Sequence, residues 1–199
     1  MKRFGSVKNV KQEYERLMIG SNLYKYYSEE IKTKLQSELK IKNSMATPRL
    51  LKIVVNVGLG EALINKNAIE NMSRQLMVIT GQKPVITYAK RDISTFKLRK
   101  GDAIGLKITL RGIRMYDFYE KLVKIVLPRI RDFRGINSSS IDEKGNFTLG
   151  LKEQIVFPEI EYGQIDKVRG LEITIMTNAR NKEQALKLME MLGMPFKKT

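Results

Sequence analysis

"AIGLKITLRG", residues 103–112, sets Ile104, Leu106, Ile108 and Leu110 in strict alternation with Gly105, Lys107, Thr109 and Arg111. A period of two puts one set on each face of a β-strand, so one side is buried and the other, polar and cationic, is left for solvent or a partner. Two other stretches repeat the pattern. In "LLKIVVNVG" (50–58) Leu51, Ile53, Val55 and Val57 oppose Lys52, Val54 and Asn56, and in "LEITIM" (171–176) Leu171, Ile173 and Ile175 oppose Glu172, Thr174 and Met176. A further strand is expected over Val85–Lys90, adding Thr87 to the polar side.

Around these strands lie apolar stripes at helical spacing. They are Tyr27, Ile31, Leu35 and Leu39; Ile69, Met72, Leu76 and Ile79; Met115, Phe118, Leu122 and Ile125; and Ala185, Leu188 and Leu192. Asn67 with Glu70, and Asn181 with Gln184, have the spacing of helix N-caps, while Gly81, Gly193 and Pro195 are stop signals and Pro128 is expected to break the third helix. "RDFRGINSSSIDEKGNFTLG" (131–150) reads as one long polar loop. The order predicts a single α+β domain over 23–199: a largely antiparallel sheet with helices packed on one face and the other open. Residues 1–22 read as an N-terminal extension.

The chain has 199 residues, with 37 Lys and Arg against 21 Asp and Glu, a net charge of +16 and a pI near 9.9. Most of the excess lies in residues 1–101, so it is not a uniform solubility surplus but the footprint of a polyanionic partner. No cysteine and no histidine are present. Disulfides, thiol nucleophiles, thiolate metal sites and imidazole catalysis are thereby excluded, and neither a cofactor nor a metal site is expected. No apolar run approaches the roughly 20 residues that cross a bilayer, and the start lacks the apolar region of a secretory signal, so a soluble, cytoplasmic protein without a membrane partner is expected. The first 12 residues are basic, but Glu13 and Glu15 follow, which favours a solvated extension over an organelle transit segment.

Within the face the strands leave open, short Asn and Thr side chains suit the sugar edges of RNA, and Lys52, Lys107 and Arg111 suit phosphates. An ordinary solvated face would show the same alternation. "VITYAKRDISTFKLRKG" (85–101) mixes Lys90, Arg91, Lys97, Arg99 and Lys100 with Ile93 and Phe96, which either pin a loop to the core or pack on a nucleic acid whose backbone the cations hold. "NVGLGE" lacks the third glycine of a dinucleotide loop and the Gly-Lys-Ser/Thr of a phosphate loop. Glu159 and Glu161 could form an acid pair, but nothing near them in sequence supplies a nucleophile, and a solvated rim is the simpler expectation. Tyr24, Tyr26 and Tyr27 are expected to pack a helix rather than to stack on bases.

"TPRLLKIVVNVGLGEA", "TGQKPVITYAKRDISTFKLRKGDAIGLKITLRG", "LPRIRDFRGI", "GNFTLGLKEQIVFPEI" and "DKVRGLEITI" together resemble the bacterial-type fifth protein of the large ribosomal subunit, the family that binds 5S ribosomal RNA. The match runs in order from about Leu23 to Lys197. The resemblance implies a curved antiparallel sheet seated on 5S RNA in the central protuberance, beside 23S-type RNA and neighbouring large-subunit proteins. By position, Asn56, Gln82, Thr87, Thr109 and Arg111 match residues the family uses on 5S RNA. The segment containing Arg91, Ser94, Phe96, Lys97, Arg99 and Lys100 falls on the family's loop for peptidyl-site transfer RNA. The segment containing Ile136, Asn137, Ser138, Asp142 and Asn146 falls on the region that bridges to a protein of the small-subunit head. Asp92, Thr95 and Ile113 depart from the family pattern, and the extension has no counterpart in it.

Two other classes stay open on the residues alone. A duplex-DNA architectural protein would use the same basic face without needing 2′-hydroxyls, and a nucleic-acid-modifying enzyme would rely on Glu159 and Glu161.

Overall fold

The computed structural model of the chain describes residues 22–65, 67–131, 133–160, 163 and 165–197. The extension, apart from Asn22, lies outside the described residues. Five strands, β1 (Leu50–Gly58), β2 (Val85–Tyr88), β3 (Ala103–Leu110), β4 (Phe147–Leu151) and β5 (Leu171–Thr177), form one sheet in the order β2-β3-β1-β5-β4 with every pairing antiparallel. Ile53, Val55, Val57, Leu106, Ile108, Leu110, Ile173 and Ile175 are all buried on one face beneath the helices. The alternation read from the sequence is therefore the alternation of the sheet.

Helix α1 consists of the turns Asn22–Tyr26 and Lys32–Glu38 with a π-helical stretch Tyr27–Ile31 between them. Steps of four residues overshoot the 3.6-residue α repeat, so Tyr27, Ile31 and Leu35 would drift around a regular helix; the wider π turn keeps all three buried. Helix α2 (Asn67–Thr80) buries Met72, Leu76 and Ile79, and Gly81 ends it at φ +66°, its N–H donating to the Met77 carbonyl. Asn67 is not the cap but the first helical residue, and its N–H donates to the side chain of Asn65. Helix α3 (Gly112–Lys121) runs on through a π stretch Leu122–Val126 into Leu127–Arg129, so Pro128 sits inside the last turn instead of breaking it. Helix α4 (Lys182–Met191) is capped as expected, the Asn181 side chain accepting from the Gln184 N–H.

Beyond the Asn67 cap and the Pro128 break, three further expectations fail, each for a tertiary reason. A register shift between Leu50 and Lys52 turns Leu50 into the core and leaves Leu51 exposed, against the simple alternation. Residues 131–150 are not one loop. Ile136 and Ile141 are buried, and Phe147, Leu149 and Leu151 continue the apolar face as the edge strand β4. Glu159, expected on a solvated rim, is half-buried against Lys121, whose ammonium is itself buried and donates to both Glu159 and the Ile79 carbonyl. That carboxylate is committed to a structural cation, and Glu161 lies outside the described residues.

A second ion cluster ties the chain's middle to its end. The Arg169 side chain, 5% exposed, donates to Glu61 and to both carboxylate oxygens of Asp166, while Lys167 reaches the other oxygen of Glu61. The fully buried Gln154 holds the backbone of Lys167 and Arg169. Here the glycine-bearing turn after β1, a 3-10 turn Gly60–Leu63, carries the Glu61 carboxylate that anchors Arg169 and Lys167.

Gly145 closes the turn before β4 at φ +77°, and its carbonyl accepts from the buried Thr177 hydroxyl at 2.7 Å. A Cβ there would stand 2.9 Å from the Ala179 Cβ and 3.2 Å from the Ala185 Cβ. Gly145→Ala is expected to cost about 2 kcal/mol, from left-handed strain plus overpacking, read as a lower denaturant midpoint at unchanged slope.

Candidate nucleic-acid interface

Opposite the helices the sheet is uncovered. Cross-strand partners place Val85, Lys107, Asn56, Glu172 and Gly150 in one row across all five strands, and Thr109, Val54, Thr174 and Thr148 in the next. Asn56 and Lys107 are exposed, and Lys52, Thr87 and Thr109 are half-buried between neighbours. Arg111, exposed, continues the strand's alternation one step past β3 before α3 begins. Gln82, which the alternation could not place, donates from Nε2 to the Thr109 carbonyl at 3.3 Å, beyond the end of the β2 pairing. It thus joins the same end of the face as Thr109 and Arg111.

The face is low in relief. Gly105 is forced by a close approach, since a Cβ would lie 2.7 Å from the Val57 carbonyl oxygen and 2.8 Å from the Thr87 hydroxyl. The other half of the face, on β5 and β4, is neutral or acidic: Thr148 and Thr174 hydroxyls lie 3.4 Å apart, and Glu172 stands beside Asn56. Thr148 and Gly150 are absent from the face expected from sequence, because the long-loop reading covers them, although "FTLGL" carries the period-two signal. Cations gather on β3 and β1, so a polyanion is attracted to that half and repelled by Glu172.

Beyond β2 and β3 the basic segment is an ordered hairpin. Ile93 and Leu98 exchange backbone hydrogen bonds, a 3-10 turn Ser94–Phe96 forms the tip, and Lys97 takes the left-handed conformation at φ 51°. The carboxylate of Asp92 accepts from the Lys100 N–H at 2.6 Å and that of Asp102 from the Arg99 N–H at 2.8 Å. The two acids therefore brace the hairpin's backbone, and Asp92, a departure from the family pattern, has a local structural use. Phe96 is 69% exposed and Ile93 43% exposed, so neither pins the loop to the core. Of the eight ion pairs among the described residues, none involves Lys52, Lys107, Arg111 or any cation of the hairpin. Elsewhere Lys121, Lys124, Lys167, Arg169 and Lys187 are paired. Unpaired cations also stand elsewhere, Lys25, Lys40, Arg114 and Arg180 among them, so what marks the open face and the hairpin is that all of their cations are left free.

In the segment expected to bridge subunits, Ile136 is buried and exchanges backbone bonds with Pro195 and Lys197, so its side chain anchors the segment. Asn137 and Ser138 are exposed at a 3-10 turn. Asp142 and Asn146 close a tight turn, the Asn146 N–H and side-chain amide both donating to the Asp142 carboxylate. Partial burial pushes the Asp142 carboxyl up, but those bonds and the Lys144 backbone outweigh it and hold it below its ordinary range. Among the described residues no group of acids could hold a metal ion, and no helix is long and apolar enough to cross a membrane.

Two family models match the chain: ribosomal protein L5 over residues 43–99, and the C-terminal region of the same ribosomal family over residues 103–196. Among curated relatives, the large ribosomal subunit protein uL5 of Chloroflexus aggregans is 57% identical over 173 residues, covering 87% of this chain and 96% of the relative. The uL5 of Desulfatibacillum aliphaticivorans is 53% identical over 89% of this chain and 99% of its own length. That of Moorella thermoacetica is 51% identical over 89% and 98% respectively. The relatives are matched almost end to end, while about a tenth of this chain finds no counterpart in them.

Proposed function

Because the chain belongs to the uL5 family of large ribosomal subunit proteins, we propose that the open face of its sheet is the seat for 5S ribosomal RNA. A member of this family is a structural component of the ribosome and not an enzyme, and its partners are ribosomal RNA and other large-subunit proteins. The observation that carries the reading is an uncovered sheet face on which small polar side chains stand beside Lys52, Lys107 and Arg111, none of them in an ion pair among the described residues. Lys107, Arg111 and Lys52 neutralise phosphates. Asn56, Thr87, Thr109 and Gln82 reach sugar edges and 2′-hydroxyls, which a low surface lets come close. Val85, 68% exposed in the row of Lys107, offers an apolar contact to a ribose.

The hairpin serves a second RNA. Its cations, Arg91, Lys97, Arg99 and Lys100, and the tip residues Ser94 and Phe96 meet the peptidyl-site transfer RNA through phosphate-directed contacts, each weak enough to be released. Residues Asn137 to Asn146 face a protein of the small-subunit head, and the Asp142–Asn146 turn keeps that segment in one shape. The exposure of Phe96 and the bracing of the hairpin by its two acids support a loop built to touch something outside the chain.

Titrating the protein with 5S RNA and with a DNA copy of it, at rising salt, tests the seat. Log affinity for the RNA should fall by about 0.7–0.9 per phosphate neutralised for each unit of log salt, with the DNA copy binding less tightly because it lacks 2′-hydroxyls. Equal displacement by both would instead support the architectural DNA reading.

A further inference from the structure

Where β1 begins, α1, the 3-10 turn Ser44–Ala46 and the start of α3 leave a cleft of about 350 Å³. That volume lies at the small end of the range in which proteins hold compact ligands. Tyr24, Tyr27 and Tyr116 line it as an aromatic wall: the Tyr24 ring meets Tyr116 edge-on with centroids 5.3 Å apart, and Tyr27 tilts against Tyr116 at 5.9 Å. Tyr27 is fixed, its hydroxyl donating to the Pro48 carbonyl at 2.8 Å, whereas Tyr24 is 45% exposed and Met45 69% exposed. Arg49 and Lys32 stand on the same cleft, and among the described residues neither pairs with a carboxylate. Burial raises the Tyr27 hydroxyl to about 12, and the charge of Arg49 opposes that rise, as expected of a guanidinium close to the aromatic wall.

Tyr24 and Lys32 on α1, with Met45 and Arg49 after it, thus set exposed aromatic and thioether surface beside unpaired cations. The position of the cleft supplies the partner. Its lining residues Leu51 and Gly112 are the chain neighbours of Lys52 and Arg111, so the cleft opens at the edge of the polar face. An RNA strand leaving that face would reach it with a nucleotide or two.

We propose that this cleft takes an unstacked nucleobase of the ribosomal RNA seated on the sheet, the base lying on Tyr24 and Met45 and its flanking phosphates meeting Arg49 and Lys32. The proposal rests on the sheet face being an RNA seat. Stacking of a base on an aromatic side chain contributes about 1–3 kcal/mol, and an adjacent arginine adds a cation–π contact. The phosphates alone would attract any polyanion, so the base is what distinguishes this site.

The test compares two probes on the full chain: fluorescently labelled hexaadenylate, and a hexamer with the same backbone but no bases. Wild type should bind the adenine hexamer at least about fivefold more tightly than the abasic one, following from the stacking range above. Tyr24→Ala should bring that ratio close to one in a chain that still unfolds cooperatively and keeps its 5S RNA affinity within about twofold, and Tyr24→Phe should restore it. Arg49→Ala should weaken both hexamers together. Lys107→Ala, on the sheet face, should lower 5S RNA affinity yet keep the ratio, so loss of the seat and loss of the cleft are read separately. A ratio unchanged in Tyr24→Ala would overturn the proposal. So would a wild-type ratio close to one.

Discussion

Arg169→Ala is expected to lower stability by about 3 kcal/mol and the thermal midpoint by about 6–12 °C. The guanidinium is nearly buried and is the common partner of Glu61 and Asp166, which are 108 and 3 residues away in sequence. Removing it leaves the half-buried Asp166 with no cation partner among the described residues and Glu61 with only the exposed Lys167, and breaking a buried pair from one side typically costs several kcal/mol because the remaining charge is poorly compensated. Differential scanning calorimetry would read the shift. A drop below about 2 °C would mean that the carboxylates turn out to water at little cost.

The cluster also carries a pH signature. Hydrogen bonds from Lys167 and then Arg169 hold the Glu61 carboxyl below its ordinary range, and Arg169 above all holds Asp166 well below its own. A carboxylate whose folded pKa is depressed contributes its full stabilisation above its unfolded value, near 4.5 for Glu61 and 3.8 for Asp166, and loses it as pH falls further toward the folded value. Wild type should therefore lose stability steeply as pH falls below about 4.5, and Arg169→Ala should show a shallower acid slope.

Arg111→Ala carries the largest expected effect on binding: about a tenfold loss in 5S RNA affinity, the size of one charge-assisted contact. Asn56→Ala should also weaken binding, through a lost hydrogen bond and not through charge, so it should leave the salt slope alone. Lys107→Ala should reduce that slope by about 0.7–0.9, one phosphate's worth. Lys97→Ala, at the tip of the hairpin, should leave 5S RNA affinity unchanged. Equal losses from Arg111→Ala, Asn56→Ala and Lys97→Ala would show that the sheet and the hairpin form one surface, and the two-RNA reading would fall.

Asn56, Lys107, Thr109 and Arg111 could be assigned to one open face from alternation alone, because period two is a property of neighbouring residues and survives any packing that buries the other side. The four helices and most of their stripes were legible for the same reason, as were the charge excess and the absence of thiol and imidazole chemistry; in the third helix the π stretch Leu122–Val126 buries Val126 where the 3-4 spacing expected Ile125. Gln82 could be reached only through resemblance, since a hydrogen bond to Thr109 across 27 residues leaves no periodic trace. The edge strand β4 hid in a polar stretch because only five residues pair, on one side, and three of them carry the pattern.

By itself, then, the amino-acid order determined most of the strand alternation, which stretches are helical, the Asn181 cap and the Gly81 stop, and that a polyanion is the partner, all consequences of local geometry and summed charge. Only the tertiary structure decided which of Leu50 and Leu51 turns inward, that Lys121 neutralises Glu159, that Arg169 closes on Glu61, and that a tyrosine-lined cleft opens beside Arg111. Each depends on a register shift or on groups brought together from distant parts of the chain, and such meetings are settled by packing and desolvation, which have no signature in a stretch of neighbouring residues.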